Sequence, residues 1–506
     1  MNRADPFTGY SLVLRTILYG AVPAFTLWQF FRLRRALHVF QLEGYKRARF
    51  LEWCRINRDR RRFLRSAPAK KPLVMTGRAR RILVTATAIT VLLILAASAT
   101  AHLAGGAPYD IAAWALVTVA CFWFAPHILV GADVVLTPVQ RAINAGFLNK
   151  ARAKLARVAP IVVGVTGSFG KTSTKFAVER LVGPNGTALA TPGSFNTPLG
   201  VCRTINENLD ESHRFFVVEM GAYGEGEIAE LAEFVRPKIG VLTAIGPAHL
   251  ERFGSMEAIE RGKYELIAAL PPDGTAVMNA DDPKVRELAE GTSHVPVVTY
   301  GLAPGAAVTA RDVEVSPDGT RLTIEAGGAS IRAQTALVGR HALGHVLAGV
   351  AVALAAGRSL ADLVDPIAAL EPVEHRLQII KGAGGVTVID DAYNSNPDGA
   401  AAALEVLDAM PGGKKVVVTP GIVELGPLQA EENERFGESA AKVADHLIVV
   451  APINRDALTV GAARANSRAQ VIAVDNLEQA TQRLTGLIGP GDVVLFENDL
   501  PDQYER

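Results

Sequence analysis

GVTGSFGKTSTK, residues 164–175, follows the apolar run IVV and precedes FAVERLV. Strand, glycine-rich turn, Gly-Lys-Thr and helix, in that order, are the layout of a phosphate-binding loop in an α/β domain. The general pattern has a glycine, four residues, then Gly-Lys-[Ser/Thr], and the first of those positions is Val165 here. Gly164, Gly167 and Gly170 instead form a TGSxGKT variant. The physical demand is the same: backbone N–H groups curl around phosphate oxygens where a Cβ would obstruct them, and the next helix presents its positive N-terminus. Gly167, Ser168, Gly170, Lys171, Thr172 and Ser173 therefore form the expected nucleotide-binding set. Lys171 is expected to neutralise the outer phosphates, and Thr172 to offer its hydroxyl to Mg²⁺.

Downstream of the loop, short β-branched runs alternate with amphipathic helical stretches, which predicts a largely parallel sheet. IVVGVTG, FFVVEMG and IGVLTAIG read as buried strands, continued by AVMNADD and VVTYG. Residues 305–338 alternate apolar and polar positions around PDG and GG turns, which predicts a small antiparallel insert. Near residue 373 a second α/β unit begins, with strands GVTVIDDAY, KKVVVTPG, HLIVVA, AQVIAV and DVVLFEN. Glu219 ends an apolar strand, where a carboxylate beside the phosphate loop suits Mg²⁺ but a solvated strand end looks the same. His249, in GPAHLERFGS, reads equally as a ligand or a loop histidine, and spacing alone makes Lys263 an ordinary surface lysine.

Upstream, the 506-residue chain hides a charge asymmetry behind its net +1. Residues 32–81 hold seventeen Lys or Arg against three acids. Apolar runs flank this stretch at about 12–31, 82–104 and 111–132, each near the length that crosses a ~30 Å hydrocarbon core. The first is the weakest, with Arg15 near one end and Pro23 in the middle. Three spans keep both basic segments, 32–81 and the residues after 137, in the cytoplasm by the positive-inside rule; two would not. With spans on both sides, the basic loop is expected to meet anionic membrane lipids rather than nucleic acid. Cys54, Cys121 and Cys202 are too scattered for a disulfide framework or a zinc site.

TGSFGKTSTK, VVEMGAYGEGEIAEL, RPKIGVLTAIGPAHLERFGSMEAIERGKYEL, GTAVMNADDP, GRHALGHVLAGVAVALAAG, HRLQII with GGVTVIDDAYNSNPDGAAAALEVL, and VELG occur in this order. Over roughly residues 159–440 this series resembles the Mur ligase family, most closely its D-alanyl-D-alanine-adding branch. The resemblance implies a central ATP-binding domain over 159–372 and a C-terminal Rossmann-like domain over 373–506, behind a membrane region of residues 1–158. It implies an ATP-dependent amide ligase, which phosphorylates a carboxylate acceptor and lets an amino-acid or dipeptide amine displace the phosphate. By the same likeness, Lys171 and Thr172 hold the outer phosphates and one Mg²⁺, and Glu219 and His249 bind magnesium. Lys263 matches the lysine that CO₂ carbamylates, a change that turns a cation into an anion able to assist metal binding. Asn279 would contact adenine, Arg376 would reach the phosphates from the C-terminal domain, and Asp391, Tyr393 and Asn394 would line the nucleotide pocket.

The departures fall mostly on substrate-facing positions, with one, at HNxxN, in the ATP region. The sugar-nucleotide domain of the family is replaced by the membrane region. GNxNN has become GSFNT, keeping only Asn196, and HNxxN has become His341-Ala-Leu-Gly-His345. GDM reads Pro420-Gly421-Ile422, and the terminal KGS loop reads FENDLPDQY. Retained phosphate chemistry on an altered acceptor follows, with a lipid-linked envelope precursor met at the membrane as the first expectation. A capsule-type poly-amino-acid synthetase is its close variant. From other classes, a membrane-tethered kinase would have a tyrosine-rich tail, where this chain has only Tyr504, and a non-catalytic nucleotide sensor would bind ATP without releasing phosphate.

Overall fold

The computed structural model describes residues 27–56, 72–105, 109–183, 186–393 and 395–499. The chain divides into two compact units, Met1–Gly146 and Phe147–Arg506. The division falls inside the helix Ala125–Val158, earlier than the boundary at 158 that the change in sequence character suggests.

The first unit is helical where it is described. Residues 32–81, read as a basic loop, instead carry part of a helix over 27–42, the helix Arg47–Ile56 and the start of Gly77–Gly105. The reason lies beneath the charges. Leu33, Ala36, Leu37 and Phe40 recur at helical spacing and are fully buried with Phe50, Ile82 and Leu129. Arginines occupy the other positions of the same helices. Asp133, 5% exposed, gathers two of them, meeting Arg47 at 2.7 Å and Arg78 at 2.9 Å.

The apolar run 82–104 lies within Gly77–Gly105, the only described helix that is by itself long and apolar enough to cross a membrane. Along it, Leu92 and Leu95 are 64% and 59% exposed. The run 111–132 is not one straight span. It is divided between Tyr109–Trp123 and Ala125–Val158, which meet at a bend of 79°. Pro126, second residue of the later helix, has no N–H to continue the preceding ladder, and its ring clashes with the turn before it. Only if that bent pair counts as a single broken span are there two candidates. Of the run 12–31, residues 12–26 lie outside the described residues, while Leu27–Phe31 are helical, with Trp28 stacked on Phe122 at 3.9 Å.

The second unit carries two sheets. The first has nine strands: β1 (Ile161–Thr166), β2 (Ala188–Ala190), β3 (Phe215–Glu219), β4 (Ile239–Leu242), β5 (Thr275–Asn279), β6 (Val297–Tyr300), β7 (Val308–Ser316), β8 (Gly319–Ala326) and β9 (Ala329–Thr335). Their order is β2-β3-β1-β4-β5-β6-β7-β8-β9. The strands from β2 to β6 are parallel and read as unbroken apolar runs because both faces are covered. Val163 and Val165 of β1 pack with Val178, Leu181, Leu347 and Val350 on one face. Val162, Phe216 and Val218 face Val201, Ile205, Leu231 and Leu266 on the other. The expected antiparallel stretch is the trio β7–β9. Its first strand pairs with β6 through Tyr300 and Val308, so the trio extends the parallel sheet.

The second sheet comprises β10 (Gln378–Lys381), β11 (Thr387–Asp391), β12 (Lys415–Thr419), β13 (His446–Val450), β14 (Gln470–Val474) and β15 (Val493–Glu497), ordered β10-β11-β15-β12-β13-β14. Only β10 is antiparallel to its neighbour. This α/β sheet has its own core, in which Ile389, Val417, Leu447 and Leu495 meet Leu404, Leu407 and Leu458.

Candidate active site

The carboxyl ends of β1, β3 and β4 converge, which is where open parallel sheets place ligands. β1 gives way to the phosphate loop at Gly167, whose φ of 147° is one that glycine adopts freely. A Cβ there would stand 2.0 Å from Thr243 Oγ1 and 2.9 Å from the amide of Ala244, so the loop passes tightly over the end of β4. Ser168 fastens it: its N–H donates to Ala244 O at 2.7 Å and its hydroxyl to Gly246 O at 2.9 Å. Gly170, at φ 75°, then turns the chain into the helix Lys171–Val182.

Lys171 Nζ donates to the carbonyls of Gly167 and Ser168, at 2.8 and 3.1 Å. Burial pulls its pKa below the ordinary lysine value, opposed by the charge of Glu219 and assisted by that of Arg376. Thr172 Oγ1 donates to Glu219 Oε2 at 3.0 Å, so these two predicted magnesium groups do come together. Glu219 is 1% exposed. Lys175, fully buried, donates to it at 3.2 Å, and Asn196 Nδ2 donates to its other oxygen at 3.1 Å. Removing one partner of such a buried pair typically costs about 3–5 kcal/mol, because it strands a charge away from water. Lys175 has no place in the sequence-based site. Its position one turn beyond Lys171 carries no signal by itself; the packing of the helix on β3 turns it inward.

His249 and Lys263 lie on the β4 side. Burial lowers the pKa of His249; the hydrogen bond and charge of Glu424 oppose this, and the charges of Lys171 and Lys263 add to it. His249 Nδ1 meets Glu424 Oε2, and Tyr223 packs edge-on at 4.7 Å. Lys263 is not a surface lysine. It is 2% exposed, its Nζ lies 3.4 Å from Ala222 O, and the Phe253 ring sits 5.2 Å away. Burial and the Lys171 charge push its pKa down to about 7.

A cavity of about 940 Å³ opens beside the loop, lined by Gly170, Ser173, Asn279, Arg376 and Asp391 among others. That volume suits a nucleotide. Asn279 is fixed at both ends of its amide, donating to Thr243 O at 2.8 Å and accepting from Asp281 N at 3.0 Å. Arg376 stacks over Tyr393, 4.6 Å from the ring centre, and Tyr393 donates its hydroxyl hydrogen bond to Ser194 Oγ at 2.7 Å. Asn394 lies outside the described residues. Asp391 accepts from Leu377 N at 3.1 Å and faces Glu497 across adjacent strand ends. Burial raises the pKa of both carboxyls, and the pair holds a proton more firmly than either would alone. Ser395 donates to Glu497.

Two further cavity residues escaped the sequence-based site set. His345 Nδ1 lies 2.9 Å from Thr174 Oγ1, and a Cβ on Gly170 would stand 3.0 Å from its Cε1. His341 lies edge-on to it, the rings 6.4 Å apart. Burial lowers their pKa values to about 4 for His341 and about 3 for His345. Neutral imidazoles therefore face the nucleotide cavity, and at His345 one stands where the resemblance leads one to expect an asparagine amide.

Among the described residues, no three His, Cys, Asp or Glu side chains gather closely enough to hold a metal by themselves. The Thr172 hydroxyl and Glu219 carboxylate fit a hard cation that keeps waters and phosphate oxygens as its other ligands, the usual manner of Mg²⁺.

Residues 165–353 match the Mur ligase middle domain, and residues 375–497 match the Mur ligase glutamate ligase domain. The UDP-N-acetylmuramoyl-tripeptide–D-alanyl-D-alanine ligase of Mycobacterium tuberculosis is 34% identical over 372 residues, covering 66% of this chain and 70% of its own. The Escherichia coli enzyme of the same name is 33% identical over 282 residues, covering 55% and 62%. Among solved structures, MurF from Acinetobacter baumannii superposes with a TM-score of 0.64 at 28% identity, covering 71% of this chain and 78% of that one. MurF from Thermotoga maritima in complex with ADP gives 0.63 at 28%, covering 71% and 81%. Residues 1–146 lie outside both domain matches.

Proposed function

Since this chain belongs to the Mur ligase family of ATP-dependent C–N ligases, we propose that it joins an amino-acid or dipeptide amine to a carboxylate acceptor in peptidoglycan-precursor synthesis, through an acyl phosphate. The observation that carries the reading is the Thr172–Glu219–Lys175 cluster, whose Thr172 and Lys175 lie on the same helix start as Ser173 and Thr174, which line a nucleotide-sized cavity together with residues of the C-terminal domain. The D-alanyl-D-alanine ligases among its relatives make that dipeptide the first amine to test.

In the proposed sequence, the acceptor carboxylate oxygen attacks the γ-phosphorus and ADP leaves. The amine nitrogen then attacks the acyl carbon, phosphate departs, and the nitrogen gives up a proton. Lys171 exchanges its loop carbonyls for the migrating phosphoryl oxygens, and Arg376 brings a second positive charge from the C-terminal sheet. Thr172 and Glu219 would hold Mg²⁺, which supplies charge neutralisation to the phosphates when bound. The buried Lys263 amine, its pKa pushed down to about 7 so that a large share is unprotonated near neutral pH, suits carbamylation, in which its nitrogen bonds to CO₂ carbon, loses a proton and becomes anionic. The bond between Tyr393 and Ser194 joins the two sheets beside the cavity and would limit water during the acyl-phosphate stage.

The membrane region takes its place in the same proposal. The exposed apolar helix Gly77–Gly105 and the neighbouring arginines suit attachment to the cytoplasmic face of the cell membrane, with both sheets in the cytoplasm. An acceptor carried on a lipid would then already lie at the surface where the enzyme sits.

The test is phosphate release by the full-length protein with ATP and Mg²⁺, across lipid-linked and soluble acceptors, with and without D-alanyl-D-alanine. Release that requires both acceptor and amine is expected; release indifferent to the amine overturns the ligase reading. Lys263→Ala should abolish turnover, with partial recovery in a short carboxylic acid that restores the anion. Full activity of Lys263→Ala without additive would sink the carbamate role.

A further inference from the structure

Glu424 leaves the end of β12 on the turn Pro420–Glu424 and crosses to the first sheet. One of its oxygens meets His249 Nδ1; the other accepts from Arg252 Nη2 at 2.7 Å. The Glu424 and His249 side chains are only 12% and 23% exposed. Arg252 lies in turn over Tyr223, 4.3 Å from the ring centre, and Tyr223 packs against His249. Both ends of the link are held in left-handed backbone, with φ 58° at His249 and 65° at Glu424. A side-chain-bearing residue adopts that conformation at a cost, and does so where surrounding structure imposes it. The link therefore spans 175 residues and two sheets, and it ends on a ring that the charges of Lys171 and Lys263 reach.

We propose that Glu424 is a positioning residue, which fixes the tautomer and direction of His249 from the opposite domain. A carboxylate accepting from Nδ1–H keeps the proton on that nitrogen and leaves Nε2 with a lone pair available to a metal. Arg252 satisfies the second carboxylate oxygen and balances its charge. Because Glu424 belongs to the C-terminal sheet, His249 is aligned only when the two sheets are closed on each other. Closure and completion of the site are thus one contact. This inference rests on the reading of His249 as a group that serves the phosphate-bound metal.

The experiment measures Mn²⁺ binding by electron paramagnetic resonance on full-length protein saturated with a non-hydrolysable ATP analogue, so that no turnover is needed. Wild type, Glu424→Ala, Glu424→Gln, Glu424→Asp and His249→Ala are compared. Glu424→Ala should weaken Mn²⁺ about 10–100-fold, the range lost when a carboxylate behind a metal-bound histidine is removed. It should also lose the imidazole nitrogen modulation on the bound ion, as His249→Ala does. Glu424→Gln, whose amide oxygen still accepts from Nδ1–H, should recover both. Analogue affinity without metal should stay within about twofold throughout, since none of these groups is expected to hold the nucleotide itself. Wild-type Mn²⁺ binding in Glu424→Ala alongside a weakened His249→Ala overturns the positioning role and leaves the proposed function standing. Wild-type binding in both variants removes His249 from the metal as well. If Glu424→Ala does not fold, Glu424→Asp decides: a methylene shorter, it should show the same loss, and wild-type behaviour overturns the inference.

Discussion

At the scale of single residues, His341 and His345 show how burial changes what a side chain offers. Their unfolded-state pKa is near 6.5, while burial lowers the folded values to about 4 and about 3. Between those limits the unfolded chain binds more protons than the folded one, so stability falls as pH falls. The contribution is complete above pH 6.5 and is lost as the pH drops through the folded values. Replacing both histidines by asparagine should therefore flatten the acid side of the stability profile. Thermal melts at pH 7.5 and pH 5 should show a smaller drop for the double variant than for wild type. An equal drop would mean that other groups dominate the acid response. Residue chemistry of this kind was only partly legible. Lys171, Thr172 and Glu219 stood out through motif and strand position. Lys175 did not, because a lysine one turn into a helix is ordinarily solvated, and only the packing of that helix on β3 turns it towards Glu219.

At the scale of elements, the phosphate loop is shaped by what lies beneath it. Gly167→Ala should lower affinity for a fluorescent ATP analogue at least tenfold and lower the melting temperature. Its Cβ would overlap Thr243 Oγ1 and Ala244 N, at a backbone angle costing about 1–3 kcal/mol for a side-chain-bearing residue. Gly224→Ala, at an ordinary backbone angle with nothing within 4 Å of the added atom, is the control and should change neither. Binding unchanged in Gly167→Ala would show that the loop can relax away from β4. The strands whose two faces are buried announced themselves as unbroken apolar runs. β2, three residues long, and β10, an edge strand with half-exposed side chains, carried too little pattern to be read. The helices of the basic region were masked for a different reason: counting charge hid the apolar stripe between the arginines.

At the scale of the molecule, the helix Ala125–Val158 runs from the first compact unit into the second. Its last turns already belong to the catalytic unit: Ala151 is fully buried, with Leu148 and Leu155 packed beside it, in the core that holds Ile205 and Phe216. A fragment starting at Phe147 keeps those turns together with both sheets. It should fold and bind the ATP analogue within about threefold of the full chain, since it keeps its own hydrophobic core. Full-length protein should sediment with membranes and the fragment should not. Sedimentation of the fragment, or a full-length protein that stays in the supernatant, would overturn attachment through the first unit.

The sequence by itself determined the phosphate loop, the alternation of buried strands and helices, and membership of the Mur ligases. Each is written in residues close together along the chain, where spacing of two, three or four positions maps directly onto a turn, a strand or a helix face. Only the tertiary structure decided that β7–β9 extend the first sheet, that Lys263 is buried, and that Glu424 meets His249. Those outcomes depend on how separate elements pack, and no local spacing encodes the distance between side chains that lie 175 residues apart.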